Sequence, residues 1–192
     1  MPQPSSAILP YLAVAHRSFA TEGPMALRVE ALARAVGKNK SSFYHHFGDL
    51  EGFTEQLLRY HDTRFAEAID AEAAAINVAE LTQALLDHQE EILFSRQCML
   101  HLDRPELRAC LERNVERSIP RLLPLWAKLV GLPERTTLAE GVLRLSLENF
   151  FLQLTPDTLN DAWLSNYLSK LHTLVGQLQR SGPVDARRDV AQ

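Results

Sequence analysis

Residues 27–53 read LRVEALARAVGKNKSSFYHHFGDLEGF, and this stretch decides the fold. Val29, Leu32, Ala33 and Val36 recur at three and four, the spacing that lines one face of a helix over 27–36. Gly37 follows where the chain must leave that helix through a left-handed residue, which glycine adopts without steric cost. Asn39 then stands as an N-cap, its side-chain oxygen placed to accept from the free amides of the next turn. A second short helix is predicted over 40–46, stopped by Gly48. Two short helices about a glycine-containing turn, with a longer helix directly after, form the helix-turn-helix pattern. In that pattern the second helix enters the major groove of DNA.

Working outward, apolar residues keep the helical spacing, and no alternating run of β-branched and aromatic residues bounded by turns appears. The chain reads as all-α, with about nine helices. A first helix is predicted over 6–21, with Pro10 tolerated near its start and Tyr11, Leu12, Ala15 and Phe19 facing inward. Asp49 caps a long fourth helix reaching about residue 76. Asn77 and Glu80 have the spacing of a capping box and open a helix to about 95. Asp103-Arg104-Pro105-Glu106 repeats the cap pattern, and Pro120 and Pro124 are expected to kink or divide the helix that follows. Gly131 and Pro133 mark a stop and a fresh start for a helix over 134–154. Thr155 caps the last helix, with Pro156 at its first position, reaching about 180. The organisation predicted is a three-helix helix-turn-helix head over 1–48, a helical body over 49–181, and a flexible polar tail over 182–192.

Leu164, Leu168, Leu171, Val175 and Leu178 in the last helix are spaced four, three, four and three, the seam of a helix packed nearly parallel or antiparallel to a neighbour. The preceding helix carries two apolar faces. Leu138, Val142, Leu145 and Leu152 form one, and Ala139, Leu143, Leu147, Phe150 and Leu154 the other. Either both are buried within one subunit, or one meets a second copy in a four-helix interface about a two-fold axis. A homodimer is the reading adopted, with Leu138, Val142, Leu145, Leu152 and the five seam residues at its interface.

The composition excludes several classes. Hydrophobic residues make up 46% of the 192, enough for a real core. No run approaches the ~20 apolar residues of a membrane span, so no membrane partner is expected. The N-terminal MPQPSSAILP lacks the basic and long apolar segments of a secretion signal. Two cysteines, Cys98 and Cys110, are too few for a disulfide scaffold, and a reducing cytoplasm is the expected location. The net charge of −4 is unevenly spread. Residues 1–47 hold five basic and two acidic side chains, and the remainder 15 basic and 22 acidic. A basic head on an acidic body suits a polyanion met by the head alone.

Phe19 to Gly23, Leu32-Ala33, Gly37 and the run Phe43-Tyr44-His45-His46-Phe47 resemble the tetracycline-repressor (TetR) family of bacterial transcription regulators. The resemblance covers about the first quarter of the chain. Three positions depart from the family pattern. Leu27 stands where the family has a phosphate-binding Thr, Lys38-Asn39 where it has Val-Ser, and Leu50 where it has a phosphate-binding Lys. The resemblance implies a dimeric regulator of a double-stranded DNA operator. It also implies a body that holds an unidentified small-molecule effector, whose binding shifts the two heads.

A helix of seven residues is only ~10 Å long, a match for a major groove about 12 Å wide. Its N-terminal residues meet base edges first. Lys40 suits guanine O6 or N7, and Ser41 and Ser42 suit several partners. Lys38 and Asn39 stand where backbone or base contact is within reach. Tyr44 and His45 suit phosphate oxygens, and His46 suits phosphate or a partly buried hydrogen-bonding place. Arg28, near the start of the preceding helix over 27–36, is placed to reach the phosphate that Leu27 cannot bind. Phe43 and Phe47 read as core. In the body, His88, Gln89, Ile92, Cys98, His101, Leu122, Trp126 and Phe150 are candidates to line an effector pocket.

Cys98, His101 and Cys110 lack a fourth ligand and read as buried thiols and a surface histidine rather than a metal site. No cofactor is implied. G-x-S-x-G, the P-loop, G-x-G-x-x-G and H-E-x-x-H are all missing, so no catalytic residues are assigned and no enzyme is expected. Glu90-Glu91 reads as a solvated face. The competing reading is a protein-interaction module that keeps the fold with weak or lost DNA binding, motivated by Leu27 and Leu50.

Overall fold

The computed structural model describes residues 6–133 and 137–181, and all regular structure among them is helical. The helices are α1 (Leu9–Glu22), α2 (Val29–Ala35), α3 (Lys40–Phe47), α4 (Leu50–Ala74), α5 (Val78–Asp87), α6 (Gln89–Leu100), α7 (Pro105–Val130), α8 (Thr137–Gln153) and α9 (Asp161–Ser181), with a 3-10 turn at Gly23–Ala26 between α1 and α2. The predicted starts and stops of the head hold to within about three residues. The 134 start of α8 and the tail from 182 lie outside the described residues.

Four readings are corrected. The helix expected over 77–95 is two helices, α5 and α6, meeting at His88 (φ −111°, ψ 28°). Apolar spacing continues through His88, so periodicity carried no sign of the joint. Of a kink or a division at Pro120 and Pro124, division is set aside, since α7 runs unbroken through both. Both prolines lie on its exposed side, where the carbonyls they leave unpaired can reach water. The N-cap of α7 is Arg104, which makes no side-chain cap bond. The Thr155 cap closes only an isolated turn, with Thr158 N donating to Thr155 Oγ1 at 3.1 Å. Asn160 caps α9 instead, accepting from Trp163 N at 3.0 Å.

Head and body share one core. Tyr11, Phe43, Phe47 and Phe53 pack edge to face or tilted at centroid distances of 4.8–5.8 Å. The same cluster of buried residues continues through Phe94 and Cys98 to Leu111 and Phe150. α1 packs chiefly on α6, and α4 on α7. A second cluster joins Phe65, Ile69, Leu122, Trp126, Leu143 and Val175 across α4, α7, α8 and α9.

The two faces of α8 behave differently. Ala139, Leu143, Phe150 and the following Leu154 are buried, whereas Leu138, Leu145 and Leu152 are 63%, 66% and 60% exposed. Burying each such leucine is worth about 1.5–3 kcal/mol, so a row of three is a face in want of a cover. The α9 seam is corrected. Leu164 and Val175 are 0% and 2% exposed within the subunit. Leu168 and Leu171 are half-buried. The seam therefore turns into its own body. Among the described residues of α9 the exposed large apolar side chain is Leu174, and the side chain of Leu178 lies outside the described residues.

Candidate nucleic-acid interface and the body behind it

α2 ends as the sequence requires. Gly37 sits at φ +67°, with Gly37 N donating to Arg34 O at 3.0 Å and Lys38 N to Ala33 O at 2.8 Å, the paired bonds of a Schellman stop. Asn39 caps α3, its Oδ1 accepting from Ser42 N at 2.9 Å. At the far end, Gly48 (φ +77°) turns the chain and Asp49 Oδ1 accepts from Gly52 N at 2.7 Å. A Cβ on Gly52 would meet the backbone oxygen of Phe47 at 2.7 Å, so only glycine fits this corner between α3 and α4.

These turns leave Arg28, Lys38, Asn39, Lys40, Ser41, Tyr44 and His45 exposed on the head, while Ser42 is half-buried. His46 is half-buried too, edge-on to Tyr11 at 6.3 Å. Leu27 is buried in the core, which accounts for an apolar residue at a position expected to touch phosphate. Leu50 is exposed at 40%. One participant escaped the sequence reading. Glu30 of α2 pairs with Lys40 Nζ, and the lysine's hydrogen bond holds the Glu30 carboxyl below its ordinary value. Only the fold brings these two helices side by side.

Behind the head, a buried polar chain ties α1 to the body. His16 Nδ1 donates to Glu90 Oε1 at 2.6 Å, His16 Nε2 lies 3.0 Å from His61 Nδ1, and His61 Nε2 lies 3.1 Å from Ser95 Oγ. Phe94 stacks on both imidazoles at 4.7 and 4.0 Å. Burial, then the neighbouring His16 and Arg64, push His61 well below the ordinary imidazole value. The hydrogen bond from His16 lowers Glu90, and Glu91 is buried against Arg64. The pair Glu90-Glu91 is thus a structural joint and not a solvated face. Gln97 completes the joint, with its Nε2 donating to Thr21 O at 3.1 Å.

Among the described residues, two apolar cavities lie within the body. One, of about 70 Å³, is walled by α4, α5, α7, α8 and α9, and Leu122, Trp126 and Phe150 are among its lining. The other, of about 40 Å³, includes Ile92 and Phe150. Four of the eight candidate pocket residues are therefore at a cavity wall. The other four line neither. His88 is the α5–α6 joint, Gln89 is exposed, His101 lies 2.9 Å from Gln97 O, and Cys98 is packed in the core. The Cys110 thiol donates to Asp62 Oδ1 at 3.4 Å and is pushed up by its hydrogen bond with Cys98 and by burial. Among the described residues no three His, Cys, Asp or Glu side chains gather as a metal site, and no helix is long and apolar enough to cross a membrane. At the cavities, sequence reasoning missed Glu72, 6% exposed, which lines both.

Residues 12–57 match the model of the bacterial regulatory proteins of the tetR family. No curated protein sequence matches the chain. Among solved structures, a chain assigned to the TetR-family transcriptional regulators, from Rhodococcus sp., is similar in fold, with a TM-score of 0.57 and 20% sequence identity. The likeness covers 88% of this chain and 95% of that one.

Proposed function

We infer that this chain, a tetR-family protein by its residues 12–57, acts in the cytoplasm as a dimeric repressor that a small-molecule effector releases from its DNA operator. The observation that carries the reading is the exposed polar set at the start of α3, Lys38 to Ser41, held between the Gly37 stop and the Asn39 cap. Phosphate contacts from Arg28, Tyr44, His45 and His46 position the head, and Lys38 to Ser42 select sequence. The uncovered Leu138, Leu145 and Leu152 support a second copy, which would supply the paired heads that two half-sites need. The cavities support an effector in the body.

Leu27 and Leu50 favour a second reading, a protein-interaction module with weak or lost DNA binding. Gel-shift titration on the chain's own promoter region, across a salt series, decides between them. A regulator gives a specific shift whose affinity falls steeply with salt, as counterions return to the DNA. No specific shift at low salt would reject the DNA reading in favour of the module.

A further inference from the structure

We propose that the body binds a slender apolar amine, its ammonium seated on the Glu72 carboxylate between the two cavities. This rests on reading the body as an effector-binding module and names the chemistry of that effector. The cavities share four wall residues, Glu72, Leu85, Leu147 and Phe150, so Glu72 stands where one space gives way to the other. Its side chain is buried and has no hydrogen-bond or ion-pair partner among the described residues. A carboxyl in an apolar wall with nothing to bind is costly, and such groups are normally paired.

The hydroxyls around it fix the ligand's polarity. Tyr167 Oη donates to Ser146 O at 2.6 Å, Ser146 Oγ to Val142 O at 2.7 Å, and Ser118 Oγ to Asn114 O at 2.7 Å. Asn114 gives its amide to Cys110 Sγ at 3.7 Å, while its Oδ1 is buried and unpartnered. Every lining hydroxyl has spent its hydrogen on the backbone, which leaves Asn114 Oδ1 and, once ionised, the Glu72 oxygens to accept. A ligand that brings donors suits these acceptors, and the leucines, Trp126 and Phe150 suit an apolar remainder. Tyr167 of α9 is the other titratable group in either wall, and α5, α7 and α8 contribute none.

Burial pushes the Glu72 carboxyl up to about 8, so at neutral pH the empty pocket holds it protonated. An arriving ammonium keeps its own proton, and the carboxyl releases one to solvent as the ion pair forms. Calorimetry on the full chain at pH 7, in buffers of different ionisation enthalpy, tests this with hexylamine and 1-hexanol. Hexylamine should bind at least tenfold more tightly than hexanol and release close to one proton per site. Glu72→Gln should abolish both the preference and the release. The proposal is overturned if hexanol binds as tightly as hexylamine, if the amine binds without proton release, or if the preference survives Glu72→Gln. Binding of hexanol alone would leave an effector pocket standing with the wrong chemistry. Binding of neither probe would remove the effector reading of this body together with the proposal.

Discussion

Under the proposed function Lys40 would reach DNA only by leaving Glu30, and that exchange would make Glu30 part of the reading surface although it carries the wrong charge for it. Both side chains are exposed, so the pair is worth little in water and is easily traded for a phosphate or a guanine. Glu30→Gln should tighten operator binding by roughly two- to fivefold, the scale of one exposed ion pair, measured by fluorescence anisotropy at fixed salt. Lys40→Ala should weaken operator variants unequally, whereas Tyr44→Phe should weaken all of them alike. Equal losses from both would take base reading away from Lys40. Glu72 acts on the fold itself. Between the ordinary carboxylate value of 4.5 and about 8 the folded chain holds a proton that the unfolded chain has released, so stability falls as pH rises through that window. Glu72→Gln should flatten that limb and melt above the parent at pH 8, read by thermal denaturation across pH. His61 has the opposite sign. Its lowered value means the unfolded chain takes a proton that the folded one refuses, so stability is lost as pH drops below about 6.5.

At the scale of the element, what is local is legible and what is assembled is not. Gly37, Asn39, Gly48 and Asp49 each act within four residues of themselves, and their turns and caps could be read directly from the sequence. The same holds for Asn77 and Glu80, where Glu80 N donates to Asn77 Oδ1 at 3.0 Å and the carboxylate returns to Ile76 N at 3.0 Å. His16, Glu90 and Glu72 were opaque because their partners or cavity walls come from helices far away in the chain. The direction of the α9 seam was also opaque, since a four-three repeat states that a stripe is covered but not by what. Gly52 offers the sharpest test at this scale. Gly52→Ala sets a Cβ against a backbone oxygen that cannot swing aside, so it should cost about 1–3 kcal/mol. In a chain of this size that lowers the melting temperature by roughly 2–10 °C.

For the whole molecule, the decisive surface is the exposed leucine row of α8. Leu145→Glu should leave the fold intact, because the side chain already faces solvent. Light scattering coupled to size exclusion should then report a monomer, and operator affinity should fall by at least about tenfold as the paired half-sites lose simultaneous grip. An unchanged dimer would place the interface elsewhere. An effector message would have to travel from the Glu72 cavities along α4, which runs from the Gly52 corner past His61 to Glu72 itself. One rigid helix touches the cavity, the polar joint and the turn behind α3.

The shared core has a consequence for anyone who would exchange the head of this protein. Grafting a foreign head onto the body at residue 48 would cut through the cluster that runs from Tyr11 to Phe150. It would also leave His61, Phe94 and Gln97 facing an α1 for which they were not shaped. A working chimera would have to carry the matching faces of α4 and α6 along with the transplanted head. The unit of exchange in this molecule is therefore a discontinuous set of packed residues, larger than the helix-turn-helix segment itself.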